Sequence, residues 1–250
     1  MRRARYAVTQ SAAARTLNQS LTDGELDRDS AAYGAYRRAQ FSAERSQMAA
    51  RQGDHDAAVQ AALDAKNDMN QAARLTKATA RDKAKRLARD KKANQEIDQA
   101  LSTVNPKYAT GGYNYTHNCS NVVQAHELQR RGLDVQAGPR TGIPLSVMET
   151  TWGGKYAVTR RAADHGKAEV EEAFKEHGSR GIVYVAWNSG GAHVFNVENV
   201  GGKVRFVDGQ PTPHETDASH YFARSKDCRY MRVDDKPTPD RSVLARYLES

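Results

Sequence analysis

Cys119 is the residue of this sequence whose type and position most directly suggest chemistry. It follows Asn118 at the start of the segment CSNVVQAHELQRR, which reads as a helix that ends before Gly132. Asn is a good residue to cap a first helical turn, and Gly is favoured just past a helix end. The free N–H groups of a first turn favour a thiolate over a thiol. The position predicts an activated cysteine. The alternative is that Cys119 is only a small residue packed beneath a loop.

A partner for this thiol is predicted on the segment AHVFNVENVGGKVRFVDGQ, residues 192–210, where alternating side chains flank a pair of glycines. Two glycines between such runs are typical of a β-hairpin with a two-residue turn. The pairs that this turn predicts are Val200–Lys203, Val197–Phe206, Phe195–Asp208 and His193–Gln210. Alternation then places His193, Asp208 and Gln210 on one face, which is the predicted core face of the hairpin.

The polar residues of this face predict a general base. Diagonal neighbours on one face lie roughly 7–8 Å apart, within reach of side chains of this size. A carboxylate beside an imidazole fixes its tautomer and orientation. We therefore predict a nucleophilic thiol with its base, formed by Cys119, His193 and Asp208. Taken alone, His193 could also be a buried core histidine whose hydrogen bonds are all made within the protein. Gln210 could orient the imidazole instead of Asp208, or contact a substrate.

The elements that would position these residues lie beyond Asn105, where the composition of the chain changes. All seven prolines, both tryptophans and 15 of the 18 glycines follow that residue. The part before it is rich in alanine and carries 19 basic and 13 acidic residues, which account for most of the net charge of +8. We expect an α+β fold, with a basic, alanine-rich helical region over residues 1–104 and a catalytic domain with an antiparallel sheet over residues 105–250.

The amino-terminal region predicts two helices and a surface for polyanions. Residues 30–52 and 54–103 lack proline and are rich in helix-forming residues, and the Gly53-Asp54 pair would join them in a hairpin. Residues 74–92 hold nine Lys or Arg residues against two Asp. Those that would contact nucleic acid or another polyanion are Lys83, Lys85, Arg86 and Arg89. The alternative is a solvated helix face, because no aromatic residues are interleaved for base stacking.

The sequence argues against several kinds of protein and site. Two distant cysteines do not make a disulfide framework, and no apolar stretch approaches the roughly 20 residues of a membrane span. The opening residues lack the apolar core of an export signal, so we expect the chain to stay in the cytoplasm unless another route delivers it. No cofactor is expected. Zinc bound by Cys119, His117 and His126 is a further alternative, but the spacing lacks paired cysteines, so no metal is expected.

Three stretches of the second half resemble a known family. They are NPKYATGGYNYTHNCSNVVQAHELQRRGLDVQAGP, GGAHVFNVENVGGKVRFVDGQ and YMRVDD. Their order, with a cysteine at a helix start and then HVFN and DGQ on a hairpin, is similar to the papain-fold toxin family, also called toxin glutamine deamidases. Domains of this family lie at the ends of polymorphic toxins and in phage-encoded, head-associated proteins. The resemblance covers about residues 105–235.

This resemblance implies a papain-like domain whose catalytic residues are Cys119, His193 and Asp208. It implies amide hydrolysis through a thioester, with deamidation of a glutamine carboxamide on a protein substrate as the first expectation. The candidates for an oxyanion donor beside the Cys119 N–H are Asn114, His117 and Asn118. The partner would be an immunity protein or a phage capsid protein, and the chain would be cytoplasmic or virion-associated, with delivery into a target cell as a further route.

Three other functions stay open. The same three residues would serve a cysteine protease or an acyltransferase, because substrate access distinguishes these reactions. A structural or DNA-associated phage particle protein would instead use the basic helices and keep the papain-like domain as an inactive or accessory scaffold.

Overall fold

Alanine-rich sequence forms a helical hairpin in the amino-terminal part of the chain. The structure, a computed structural model, describes residue 19, residues 30–160 and residues 163–249, so the predicted lack of an export signal concerns residues outside the description. Helices α1 (Ala31–Arg51) and α2 (His55–Thr103) confirm the two predicted helices. The Ser30 side chain accepts a hydrogen bond from the Tyr33 N–H at the start of α1, and the Asp54 side chain caps α2 in the same way.

The core between these two helices is thin. Its buried residues are Ala32, Ala35, Ala39, Met69 and Ala72. Because alanine has little apolar surface to bury, this interface stabilises the hairpin only weakly. Contacts divide the chain into the units Met1–Arg86 and Leu87–Ser250, whereas the composition changes near residue 104. The last turns of α2 belong to the second unit, since Ile97 and Leu101 pack against Val200 and Val207.

The second unit combines one antiparallel sheet with short helices. The strands are β1 (Ala157–Val158), β2 (Arg180–Trp187), β3 (Ala192–Val200), β4 (Lys203–Val207) and β5 (Ser225–Arg232), in the order β1-β5-β2-β3-β4. The helices are α3 (Tyr113–Thr116), α4 (Cys119–Arg130), α5 (Leu145–Trp152), α6 (Lys167–Ala173) and α7 (Arg241–Leu244), with 3₁₀ helices at Ala218–Arg224 and Ala245–Tyr247. This architecture confirms the predicted α+β fold with an antiparallel sheet after a helical region.

The β3–β4 hairpin has the predicted turn but a shorter ladder. Val200 pairs with Lys203 and Val197 with Phe206, and Gly201 and Gly202 both have positive φ. The ladder ends at Asn196–Val207, so the predicted pairs Phe195–Asp208 and His193–Gln210 are wrong. Asp208 instead exchanges backbone hydrogen bonds with Glu215, at 2.9 Å in each direction. This bridge turns the chain out of the sheet after β4.

Both faces of the sheet are buried. One face packs on apolar residues of α4 and α5, and the other packs on α6 and the 3₁₀ helix Ala218–Arg224. The prediction that the hairpin has a single core face is therefore wrong. Val194, Asn196 and Glu198, on the face not predicted to be core, are 4%, 2% and 2% exposed. The polar members of this set are buried because α4 supplies hydrogen-bond partners for them.

Two buried carboxylates hold α4 against the sheet. Glu127 of α4 accepts hydrogen bonds from Arg131 at 2.7 Å and from Arg180 of β2 at 2.9 Å. Glu198 of β3 is paired with two residues of α4, Arg130 at 2.9 Å and His126 at 2.6 Å. Burial alone would raise the pKa of Glu198, but His126 and Arg130 lower it below its usual range. The shift favours the charged form of Glu198, and both glutamates join α4 to a strand.

We expect Glu127→Gln to destabilise the second unit by about 3 kcal/mol, because it leaves two guanidinium groups without their buried partner. Urea unfolding of the full chain followed by tryptophan fluorescence measures this loss, since Trp152 and Trp187 both lie in that unit. The matched control is Glu172→Gln, whose ion pair with Lys175 is exposed, so this variant should unfold close to the wild-type midpoint. Equal unfolding midpoints for the two variants would contradict the role assigned to Glu127.

Candidate active site

Cys119 is the first residue of α4, as predicted, and two groups of β3 interact with its sulfur and lower its pKa. One is the side chain of His193, and the other is the backbone N–H of Val194. Consecutive residues of one strand therefore supply both contacts. The side chain of Cys119 is only partly buried, whereas that of Cys228, the other cysteine, is 3% exposed in β5. Of the two thiols, only that of Cys119 lies beside a base.

Asp208, and not Gln210, orients the imidazole of His193. The Nε2 atom of His193 lies 2.7 Å from Oδ2 of Asp208, whose side chain is 2% exposed. Because Asp208 occupies Nε2, Nδ1 is the ring nitrogen that remains for the sulfur. The Oδ1 atom of Asp208 accepts the backbone N–H of Gln210 at 2.9 Å. The predicted residues thus form a connected series of thiol, imidazole and carboxylate.

Tyr221 completes the surroundings of Asp208, and sequence reasoning missed it. Its hydroxyl donates to Oδ2 of Asp208 at 3.0 Å, and its ring meets that of His193 edge-on at 5.4 Å. The Trp187 ring is stacked with the imidazole, 6.0 Å away, and meets the Tyr221 ring edge-on at 5.5 Å. Tyr221 lies on the 3₁₀ helix Ala218–Arg224, in a polar stretch without periodicity. No local pattern indicated that this stretch returns to the hairpin.

The electrostatics of the pair favour a thiolate and an imidazolium. Burial raises the pKa of Cys119, but the hydrogen bond and charge of His193, with the Val194 N–H, bring that pKa below its usual 9.0. Burial lowers the pKa of His193, but its bonds to Asp208 and Cys119 outweigh this and raise the pKa to about 10. Both shifts favour the charged forms, a thiolate beside an imidazolium, which is the activated form of a nucleophilic cysteine.

The predicted oxyanion donors are placed differently from one another. Asn114 and His117 are exposed, and His117 stacks on Tyr113 at 4.0 Å. Asn118 is buried and precedes α4, but its side chain does not cap the helix. It donates instead to the side chain of Asn105 and to the carbonyl of Gly138, at 3.0 Å each. Asn118 therefore offers the site its backbone N–H and not its side chain.

Gln210 reaches the start of α4 with its side chain. Amide oxygen and nitrogen are distinguished by their hydrogen-bond partners. Here two N–H donors face one end of the amide, so the oxygen lies there. This oxygen accepts from the backbone N–H of Cys119 at 2.8 Å and from that of Asn118 at 2.9 Å. Gln210 is 8% exposed, so these bonds are shielded from water.

The remaining predicted residues lie elsewhere. Lys83, Lys85, Arg86 and Arg89 belong to a stretch of α2, residues 77–89, that is exposed on every face. Such exposure suits both a solvated helix and a polyanion surface. His126, a ligand only in the alternative zinc site, lies 2.6 Å from Glu198, and no set of three His, Cys, Asp or Glu suited to a metal occurs among the residues described. None of the helices in the described ranges has the length and apolar character to span a membrane.

Replacing His193 by Gln should raise the pKa of Cys119 above 9.0, because burial, which raises it, remains while the imidazolium is lost. In wild-type protein the thiolate should form at a lower pH than in the variant. The rate at which iodoacetamide alkylates Cys119, measured by mass spectrometry as a function of pH, tests this. Cys228 is the internal control, since burial raises its pKa to about 12 and it should stay unmodified. An unchanged pH profile in the variant would contradict the pairing.

Replacing Asp208 by Asn should lower the pKa of His193 from its value of about 10, since the carboxylate that raises it is lost while burial, which lowers it, remains. Nuclear magnetic resonance of protein with isotope-labelled histidine measures this titration. The matched control is Tyr221→Phe, which removes one hydrogen bond to Asp208 but keeps its charge and the ring contacts. In that variant the pKa of His193 should stay close to its wild-type value. A His193 pKa that is the same in Asp208→Asn and wild type would sink the assignment.

Comparison with models of protein families, with curated proteins and with solved structures finds no match to this chain. The arguments for its function are therefore the residues of the site and their geometry, together with the resemblance of the motifs around Cys119, His193 and Asp208.

Proposed function

We propose that this chain is a cysteine-dependent amide hydrolase with a papain-like site formed by Cys119, His193 and Asp208. The observation that carries the proposal is the position of His193. Its imidazole is hydrogen-bonded to the Asp208 carboxylate at 2.7 Å, and it interacts with the Cys119 sulfur, whose pKa it lowers. A buried histidine with only a structural role would not need a thiol at the start of a helix as its second partner.

The geometry supports a two-step mechanism. The Cys119 thiolate attacks the carbonyl carbon of an amide, and the oxyanion forms beside the backbone N–H groups of Cys119 and Asn118. The His193 imidazolium gives its proton to the leaving ammonia or amine, and a thioester remains. Neutral His193 then takes a proton from water, which hydrolyses the thioester and restores the thiolate and imidazolium. Asp208 keeps the imidazole oriented throughout.

The preferred substrate is the side-chain carboxamide of a glutamine in a partner protein. This choice follows from the resemblance to toxin glutamine deamidases, because the three residues would also serve peptide cleavage. A cysteine protease is therefore the second candidate. In either case the chain would act in the cytoplasm of the producing cell, in a virion or after delivery to a target cell, with an immunity protein or a capsid protein as partner.

A function in a phage particle is supported by a separate observation. Three turns of α2, residues 77–89, are exposed all round and carry six basic residues and one acidic residue. Such a helix suits contact with nucleic acid through phosphate charges, without base recognition. In this alternative the basic residues are essential and Cys119 is dispensable.

Cys119→Ala should reduce conversion of glutamine to glutamate in the target proteome by at least about 10³-fold, because the nucleophile is lost. Mass spectrometry of proteins from cells that express the chain measures this conversion. An intact backbone with the mass change of amide to acid indicates deamidation, whereas new chain ends indicate proteolysis. Cys228→Ala is the matched control and should retain activity, since this thiol lies outside the site.

The same experiment separates the rival function. Replacement of Lys83, Lys85, Arg86 and Arg89 by Ala should leave the conversion unchanged if the site is an independent enzyme. A phenotype that survives in Cys119→Ala and disappears in the variant without these charges would favour the particle protein and overturn the hydrolase.

A further inference from the structure

The side chain of Gln210 occupies the N–H groups that the proposed mechanism assigns to the oxyanion. Its carboxamide oxygen lies 2.8 Å from the Cys119 nitrogen and 2.9 Å from the Asn118 nitrogen. A carbonyl oxygen of a substrate attacked by Cys119 would need the same donors. Gln210 therefore presents to the nucleophile the functional group that a glutamine substrate would present.

The main chain of Gln210 is anchored independently of its side chain. Its N–H donates to Oδ1 of Asp208 at 2.9 Å, and its carbonyl accepts from Nδ2 of Asn105 at 2.8 Å. Rotation about side-chain bonds would move the carboxamide away from α4 while both of these bonds persist. Exposed N–H groups would then be available without a change in the position of Asp208.

A direct donor role for the Gln210 amide is disfavoured by the same geometry. To donate to an oxyanion beside Cys119, its nitrogen would have to face the start of α4. There it would oppose two N–H groups that are donors themselves, within 2.9 Å, and it would gain only the more distant Asn118 Oδ1, at 3.4 Å, as an acceptor. The orientation that satisfies both sides places the oxygen towards α4.

We infer that the N–H groups of Asn118 and Cys119 form a carboxamide-oxygen site that Gln210 fills in the free protein, and that a substrate must displace this side chain before attack. The inference rests on the proposed function for the identity of the competing ligand. Its consequence is that Gln210 weakens substrate binding and also protects the site. The two N–H groups keep a hydrogen-bond acceptor until the carbonyl of a substrate replaces the carboxamide oxygen of Gln210.

The test compares two thiol reagents on the full-length chain. Iodoacetamide carries a primary carboxamide, whereas methyl methanethiosulfonate carries no carbonyl. In Gln210→Met the acceptor is lost, so iodoacetamide gains the free N–H groups, and the ratio of the two Cys119 modification rates should rise about fivefold over wild type. A change in the Cys119 pKa alters both rates together and leaves the ratio unchanged.

Gln210→Glu is the opposing variant. It keeps an acceptor for both N–H groups and adds a negative charge beside the sulfur. Both modification rates should therefore fall at neutral pH, while their ratio stays at the wild-type value. Gln210→Asn has a shorter side chain, which moves the amide oxygen away from the two N–H groups, so it should raise the ratio as Gln210→Met does. If Gln210→Met does not fold, Gln210→Asn takes its place in the test. Far-ultraviolet circular dichroism establishes folding in each case.

An unchanged or lower ratio in a folded Gln210→Met or Gln210→Asn variant would overturn the inference. So would a drop in glutamine conversion of about 10²-fold in either, which would assign the oxyanion contact to the amide itself. The outcome is independent of the proposed function. If no protein is deamidated and yet the ratio rises, the carboxamide site stands and the assignment of the reaction fails.

Discussion

The contact between the start of α4 and the start of β3 is the interaction on which the rest of the site depends. Neither element can activate the thiol alone, because the helix supplies Cys119 and the strand supplies His193 and the Val194 N–H. A displacement of α4 by one helical turn, about 5.4 Å, would separate sulfur from imidazole. The carboxylates of Glu127 and Glu198 oppose such a displacement, since each joins α4 to a different strand. Charges that are costly to bury therefore fix the register of helix on sheet.

The burial of both sheet faces makes this arrangement possible. Phe195 and Phe206 pack on one face against the 3₁₀ helix Ala218–Arg224, so the residues that follow β4 are drawn back over the hairpin. That return brings the Tyr221 hydroxyl to Asp208. On the opposite face the strands carry α4. The first residues of β3 thus contact the nucleophile, and Glu198, near the end of the same strand, binds His126 and Arg130 of α4.

Local sequence contains much of this design. Helix α4, the glycine turn and the common face of His193 and Asp208 follow from periodicity and turn chemistry, and those rules act over a few residues. The rules fail where distant segments meet. The ladder was expected to reach Gln210, but the Asp208–Glu215 bridge ends it, and that bridge depends on how residues 209–217 fold back. Asn118 was expected to cap α4, but its side chain donates to Asn105 and Gly138 instead. The Gln210 side chain then accepts from the N–H groups at the start of the helix. Such competition between partners more than ten positions apart leaves no periodic pattern.

The hydrogen bond from the Gln210 N–H to Asp208 links two parts of the site that are usually considered separately. One oxygen of this carboxylate serves the base, and the other steadies the residue whose side chain covers the start of α4. Replacing Asp208 thus removes two interactions, one with the imidazole of His193 and one with the N–H of Gln210. The resulting loss of activity does not measure imidazole orientation alone. Only a double-mutant cycle between positions 208 and 210 would apportion the two energies. Because the two positions are in contact, a related chain that replaces one of them is expected to adjust the other.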